Sequence, residues 1–270
     1  MAGLPQSQKR TENFSIRAET DRDWEEWGKR DPYWAVLAAE RFRKDVLDDS
    51  ALGDFFSSGR EHVDHVMAVL RQNFRDNFRP LRSLDFGCGV GRVAIPLAQY
   101  SESVAAIDIS PAMLEEAARN AASQNVRNIE FFRTGELNSI PPQSLDLVHS
   151  FLVFQHIPPS SGIAILEECL RKLKPGGLGA LHLTIARNAS RVKHATSVLR
   201  QRFGLVNRVC NLLQGRPVSG PAIHMFTYPV HDTFWSMRAA GCGRIFVELL
   251  EHRDYLGAMY YFEKVEPSPL

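Results

Sequence analysis

The stretch Leu84-Asp85-Phe86-Gly87-Cys88-Gly89-Val90-Gly91-Arg92 is the part of this sequence best suited to chemistry. Three glycines at alternate positions follow an apolar run and lead into a helical pattern, so a ligand can come close to the backbone. The loop amides and the start of the helix then face that ligand. Asp85 stands two residues before the first glycine, where a carboxylate would oppose a pyrophosphate but suit a ligand carrying positive charge. Asp108 ends the next apolar run, 19 residues after Gly89. That is the spacing at which an acid at a second strand tip accepts hydrogen bonds from a ribose. The plainer roles for these acids are to cap a turn and to cap the helix beginning at Pro111.

The surrounding sequence supplies the elements to hold them. Short apolar runs bounded by turn residues predict strands at Ser83–Phe86, Val104–Asp108, Ile129–Arg133, Leu145–Ser150 and Gly179–Ile185. Helical patterns fall between them near Val93–Tyr100, Pro111–Gln124 and Gly162–Leu173. Strands separated by crossover helices predict a parallel sheet in a doubly wound α/β fold. A helix at Pro229–Ala240 precedes two further strands, Arg244–Leu250 and Ala258–Val265. The segment between those strands is too short for a helical crossover, so they should pair antiparallel. Upstream, Trp24–Leu47 has a helical pattern with Asp31-Pro32 as a cap. Ser58 and Glu61 have the spacing of a capping box before Val63, Val66, Met67 and Leu70. The expected organisation is an N-terminal helical extension over 1–78 packed on a domain over 79–270.

The glycine loop, taken with the segments downstream of it, resembles the class I S-adenosylmethionine-dependent methyltransferase family. Leu84 to Gly91 matches the family's first motif without a gap, and Ala106-Ile107-Asp108-Ile109-Ser110 resembles the segment with its ribose-binding acid. Ser110-Pro111-Ala112-Met113-Leu114 opens the next helix as in the family. Thr134-Gly135-Glu136-Leu137 resembles the adenine-binding turn, with Glu where Asp is commoner. Leu145 to His156 resembles the fourth strand and its exit loop, and Leu173-Lys174-Pro175-Gly176-Gly177 the turn before the fifth. The likeness spans about residues 80 to 185 and, more weakly, the terminal hairpin. It implies a Rossmann-like sheet of seven strands, mostly parallel, with an antiparallel strand at the C-terminal end. It also implies S-adenosyl-L-methionine as cofactor, held by Asp85, Gly87, Cys88, Gly89, Arg92, Asp108, Ile109, Met113, Glu136, Leu137 and Phe151.

Methyl transfer from a sulfonium mainly requires alignment of donor and acceptor, with a base where an O or N acceptor must lose a proton. His156, in Phe154-Gln155-His156-Ile157-Pro158, comes after the fourth strand near the edge where such sheets bind ligands, and it is the candidate base. It could equally fix its own loop. Tyr33, Trp34, His224 and Tyr228 are candidates to line an acceptor pocket. The N-terminal aromatics Trp24, Trp27, Tyr33 and Trp34 also have the spacing of a helix packed on a core. His62 and His65 are three apart on a helix, but no third ligand accompanies them and no metal is expected.

Bulk properties narrow the class. A net charge of +1 gives no strong nucleic-acid signal. No stretch has the roughly 20 apolar residues needed to cross a bilayer, the first residues lack a signal-peptide pattern, and the four cysteines are scattered. A cytoplasmic protein is expected. From Cys169 to His231 there is no Asp or Glu but ten Lys or Arg. Within it an insert at about 187–228 has a helical apolar pattern and reads as a lid. Its basic face could meet water, recognise an anionic acceptor through residues such as Arg191 and Arg200, or touch anionic lipid transiently. The exit of strand four lacks the Asn/Asp-Pro-Pro-Tyr pattern of enzymes that methylate the exocyclic amines of bases or glutamine amides. A small-molecule acceptor is therefore expected, ahead of protein or RNA. The rivals are a nicotinamide oxidoreductase and a cofactor-binding partner subunit without activity. Nothing in the sequence sets the oligomeric state.

Overall fold

The computed structural model describes residues 20–188, 223–252 and 254–265. The insert's basic residues Arg191 and Arg200, with most of the expected lid, lie outside them. Seven strands form one sheet: β1 (Arg82–Phe86), β2 (Ser103–Asp108), β3 (Ile129–Arg133), β4 (Leu145–Ser150), β5 (Leu173–Arg187), β6 (Cys242–His252) and β7 (Tyr255–Lys264). Their order is β3-β2-β1-β4-β5-β7-β6. The first five run parallel, and β7 lies antiparallel between β5 and β6. This is the expected architecture. Two boundaries move. β5 begins at Leu173, so the Lys174–Gly177 turn becomes an irregularity within the strand where the pairing slips between Leu145 and Leu147. The hairpin strands extend almost to each other, because their cross-strand pairing continues out to His252 opposite Tyr255.

The strands alternate side chains to two faces. On β2, Ala105 and Ile107 join a core with Leu84, Phe86, Leu181 and Tyr260. Helices α6 (Pro159–Lys172) and α7 (Val230–Ala239) add Leu166, Leu170 and Met237 to it. Val104 and Ala106 face the opposite core, where α3 (Asp49–Asn73) lays down Val63, Val66, Met67 and Leu70. Each fully buried aliphatic side chain of this kind stabilises the fold by roughly 1.5–3 kcal/mol.

The N-terminal half corrects the sequence reading in two places. The pattern over Trp24–Leu47 divides at the expected Asp31-Pro32 cap and stops being helical well short of Leu47. It becomes α1 (20–30), the short α2 (Pro32–Val36) and a single tight turn at Glu40–Phe42. Pro32 has no N–H and drives Asp31 out of helical geometry, to φ −153°. The helix expected to begin at Ser58 begins at Asp49, because the Asp48 carboxylate accepts from the Ala51 amide at 2.7 Å. Ser58 lies inside it and bonds the Phe55 carbonyl. Trp27, Trp34, Phe42 and Phe55 then pack with Val90 of the glycine loop and Met113 of α5 (Pro111–Ser123), a third core that ties the extension to the ligand-binding edge.

Among the described glycines, Gly59 comes closest to the backbone of another segment. A Cβ there would lie 1.9 Å from the Arg92 carbonyl oxygen, a backbone atom that cannot rotate away. Gly59→Ala is expected to destabilise by about 1–3 kcal/mol, where alanine would ordinarily favour a helix. A urea melt showing equal or greater stability would refute the contact. No described helix is long and apolar enough to cross a membrane.

Candidate active site

At the carboxyl end of β1 the chain turns back through Gly87, Gly89 and Gly91, all at positive φ. The Gly87 and Cys88 amides donate to the Ile107 carbonyl at 2.7 and 2.9 Å, which fastens the loop to β2. Gly89, at φ +53°, sends its amide to Asp108 Oδ2 at 2.8 Å, while Oδ1 accepts the Ser110 amide at 2.9 Å. Each carboxylate oxygen keeps a further lone pair for a ligand hydroxyl. Burial, opposed by these amides and reinforced by the charge of Asp85, pushes the Asp108 carboxyl up to about 6. Ser110 caps α5 by accepting the Met113 amide.

One cavity of about 590 Å³ opens over this loop. Gly87, Gly89, Arg92, Asp108, Ile109, Met113 and Phe151 all line one end, with Thr134. The other end is largely apolar: Trp24, Trp34, Leu37, Phe42, Ile165, Ile223, Met225 and Tyr255, with Thr20, Asp21, Gln155 and His156 adding polar groups. The segment from Trp34 to Ala39 forms a wall of the cavity, and a Cβ on Gly89 would meet Val36 at 2.8 Å. Arg92 is 5% exposed, reaches Ser58 Oγ through one guanidinium nitrogen, and is pushed down to about 10 by burial, with Asp85 opposing.

Other expected site residues stand elsewhere. Cys88 points into the core beneath the sheet, and burial raises its thiol well above the usual range. Leu137 also packs in the core, and Glu136 turns its carboxylate back to accept the Arg133 amide at 2.7 Å. Neither lines the cavity; Thr134, two residues earlier, does. Tyr33 donates to Glu116 Oε1 at 2.6 Å and serves the N-terminal core, so of the adjacent pair only Trp34 faces the cavity. Tyr228 is buried against Gly162 and donates to the Ile157 carbonyl at 2.8 Å. His224 contributes its backbone carbonyl, which accepts from His156 Nδ1 at 2.7 Å.

Asp85 lies below the loop. Its Oδ1 accepts from His149 Nδ1 at 2.8 Å, and His149 Nε2 meets His62 Nε2 at 2.9 Å. His62 stacks on Phe151, with ring centroids 3.9 Å apart, so the chain from Asp85 ends against a cavity wall. Burial, with His149 and Arg92 adding to it, holds His62 well below its ordinary pKa and hence neutral. Asp85 Oδ2 is buried with no hydrogen-bond partner. His65 belongs to a separate pair with Glu248.

Sequence reasoning missed Gln155, Thr134, Ile165 and Tyr255 as cavity residues. Two of these left a signal: Gln155 as the polar neighbour of His156, and Thr134 as the first residue of the turn in which Glu136 was expected to face the ligand.

Residues 84–177 match the family described as methyltransferase domain. A ubiquinone biosynthesis O-methyltransferase of Neisseria meningitidis serogroup C is 32% identical over 143 residues, 51% of this chain and 59% of the relative. A 23S rRNA (uracil(1939)-C(5))-methyltransferase of Pseudomonas fluorescens is 30% identical over 124 residues, 46% of this chain and 26% of that one. The chain thus spans little more than half, or less, of these relatives' lengths. Among solved structures, magnesium protoporphyrin IX methyltransferase from Synechocystis PCC 6803 with bound SAH superposes with a TM-score of 0.57 at 18% identity, covering 86% of this chain and 93% of that one. The fold is that of class I methyltransferases.

Proposed function

We propose that this chain, whose residues 84–177 match a methyltransferase domain, transfers the methyl group of S-adenosylmethionine to an oxygen or nitrogen of a small-molecule acceptor. The observation that carries this reading is the single cavity joining the Asp108 end to the apolar end at His156. Asp108 offers its remaining lone pairs to two ribose hydroxyls. Asp85 and Asp108 together favour a ligand with positive charge and disfavour a pyrophosphate, which separates this site from a dinucleotide site. Arg92, the cation at this end, suits a carboxylate. The cofactor, when bound, supplies an activated methyl group on sulfur.

His156 serves as the base. Its Nδ1–H is committed to the His224 carbonyl, so the neutral ring presents its basic nitrogen at Nε2. Trp24 packs edge-on at 4.8 Å and holds the ring. Trp34, Leu37, Phe42 and Ile223 exclude water and favour an apolar acceptor. Apart from Arg92 at the cofactor end, no described Lys or Arg lines the cavity, so the described residues provide no separate anion subsite. An oxygen acceptor takes support from the relatives named for O-methylation.

Calorimetric titration with S-adenosylmethionine, S-adenosylhomocysteine and NAD tests the reading. The first two are expected to bind and NAD is not. Binding of NAD alone would overturn it.

A further inference from the structure

From the Gln155–His156 contact we infer that Gln155 is a positioning residue that fixes the tautomer of His156 and covers its basic nitrogen until an acceptor displaces it. The direction of the hydrogen bonds is set by one fixed point. The His224 carbonyl can only accept, so His156 Nδ1, 2.7 Å away, carries the proton. Nε2 of the neutral ring is then an acceptor, and the amide atom 3.0 Å from it must be the Gln155 nitrogen. The Gln155 oxygen is left facing Thr184 Oγ1 at 3.1 Å, and the threonine hydroxyl donates to it. Thr184 is 1% exposed and Gln155 5% exposed, so the chain is sheltered from water. Gln155 is also tied through its backbone, whose carbonyl accepts the Phe226 amide at 2.7 Å.

The consequence bears on the proposed reaction. A hydroxyl acceptor must take the place of the Gln155 amide at Nε2. Its O–H bond then breaks toward Nε2 as its oxygen forms the new bond to the methyl carbon and the carbon–sulfur bond breaks. The positive charge leaves sulfur and ends on the imidazolium. Until then the amide donor favours the neutral ring and delays its protonation. Among the described residues, the titratable and charged groups near the ring include Asp21 on the cavity wall, the His224 ring with Asp23 beside it, and Arg92 and Asp108 on the same cavity.

This inference rests on the methyltransferase reading only for the purpose of the base, and its test needs neither cofactor nor acceptor. Proton–nitrogen correlation spectra of the full chain, labelled at the histidine ring nitrogens, read tautomer and protonation midpoint together. At neutral pH, His156 is expected to show a protonated Nδ1 and an unprotonated Nε2. Its midpoint should rise by about one pH unit in Gln155→Leu. It should rise further in Gln155→Glu, whose carboxylate accepts from Nε2–H. Thr184→Val, which leaves the cavity lining intact, should move it in the same direction and gives the answer if the Gln155 variants fail to fold. An Nε2–H tautomer in the unaltered chain, or a midpoint unmoved across the folded variants, overturns the inference. Either result leaves the cofactor titration to be judged on its own.

Discussion

Asp108→Ala is expected to weaken S-adenosylmethionine binding by about 1.5–3 kcal/mol, roughly 10- to 150-fold. Two losses add. The ribose loses a charged acceptor, and the Gly89 and Ser110 amides lose the partners that hold loop and helix start in place. The same carboxylate gives the binding a pH dependence of known sign. Burial has raised its pKa to about 6, and the ligand hydroxyls need the ionised form. Affinity should be level above pH 7 and fall as pH drops through 6, by about tenfold at pH 5. Calorimetry across this range checks both parts. Undiminished affinity in Asp108→Ala would remove this residue from the site, and a pH-independent affinity would mean that the carboxylate stays ionised.

His149→Leu should be the most damaging single change in the interior, costing about 3 kcal/mol of stability. The leucine would leave both oxygens of the buried Asp85 carboxylate without a partner, where now only Oδ2 lacks one, and it would strand His62 as well. For a chain of 270 residues that lowers the melting temperature by about 6–12 °C. The native network also makes the fold acid-sensitive. His62 is held neutral with its pKa well below 6.5, whereas the unfolded chain takes up the proton at about 6.5. Its contribution is therefore complete above that pH and drains away as pH falls toward the folded value. Denaturant melts between pH 7 and 5 should show a loss that His62→Phe reduces. A melt of His149→Leu matching the unaltered chain would show that the buried carboxylate finds another partner.

The glycine-loop end of the cavity was legible because local spacing encodes it. A glycine loop between a strand and a helix, with an acid at the next strand tip, places Gly87, Gly89 and Asp108 whatever the rest of the chain does. In the segment expected to be the adenine turn, Glu136 caps its own tight turn at Arg133, and Thr134 is the residue that lines the cavity. The apolar end is built from side chains that only the tertiary fold gathers: Leu37 from before α3, Ile165 from α6, Ile223 from beyond the insert, Tyr255 from the hairpin. No periodicity reports such a meeting. His149 was hidden for a related reason. It stands in a strand otherwise read as apolar, and its partners are 64 and 87 residues away in sequence. The helix start at Asp31-Pro32 was legible because the missing amide acts whatever face the neighbours present, whereas the helical spacing beyond Val36 gave no warning that the helix stops there.

The wall from Trp34 to Ala39, resting on Gly89, divides labour along the gene in a way that bears on how such proteins diversify. The stretch that the chain has in common with the methyltransferase domain begins at residue 84 and ends at residue 177, yet much of the cavity's apolar end, the proposed acceptor chamber, comes from before or after it. Mutations in those outlying segments can reshape the chamber while the loop that grips the donor stays as it is. Selectivity for the acceptor is free to drift, and kinship across the shared stretch carries no inheritance of substrate. Exchanging residues 20–42 and 223–229 between two such proteins should therefore transplant a preference, where exchanging the glycine loop would only restore or abolish donor binding.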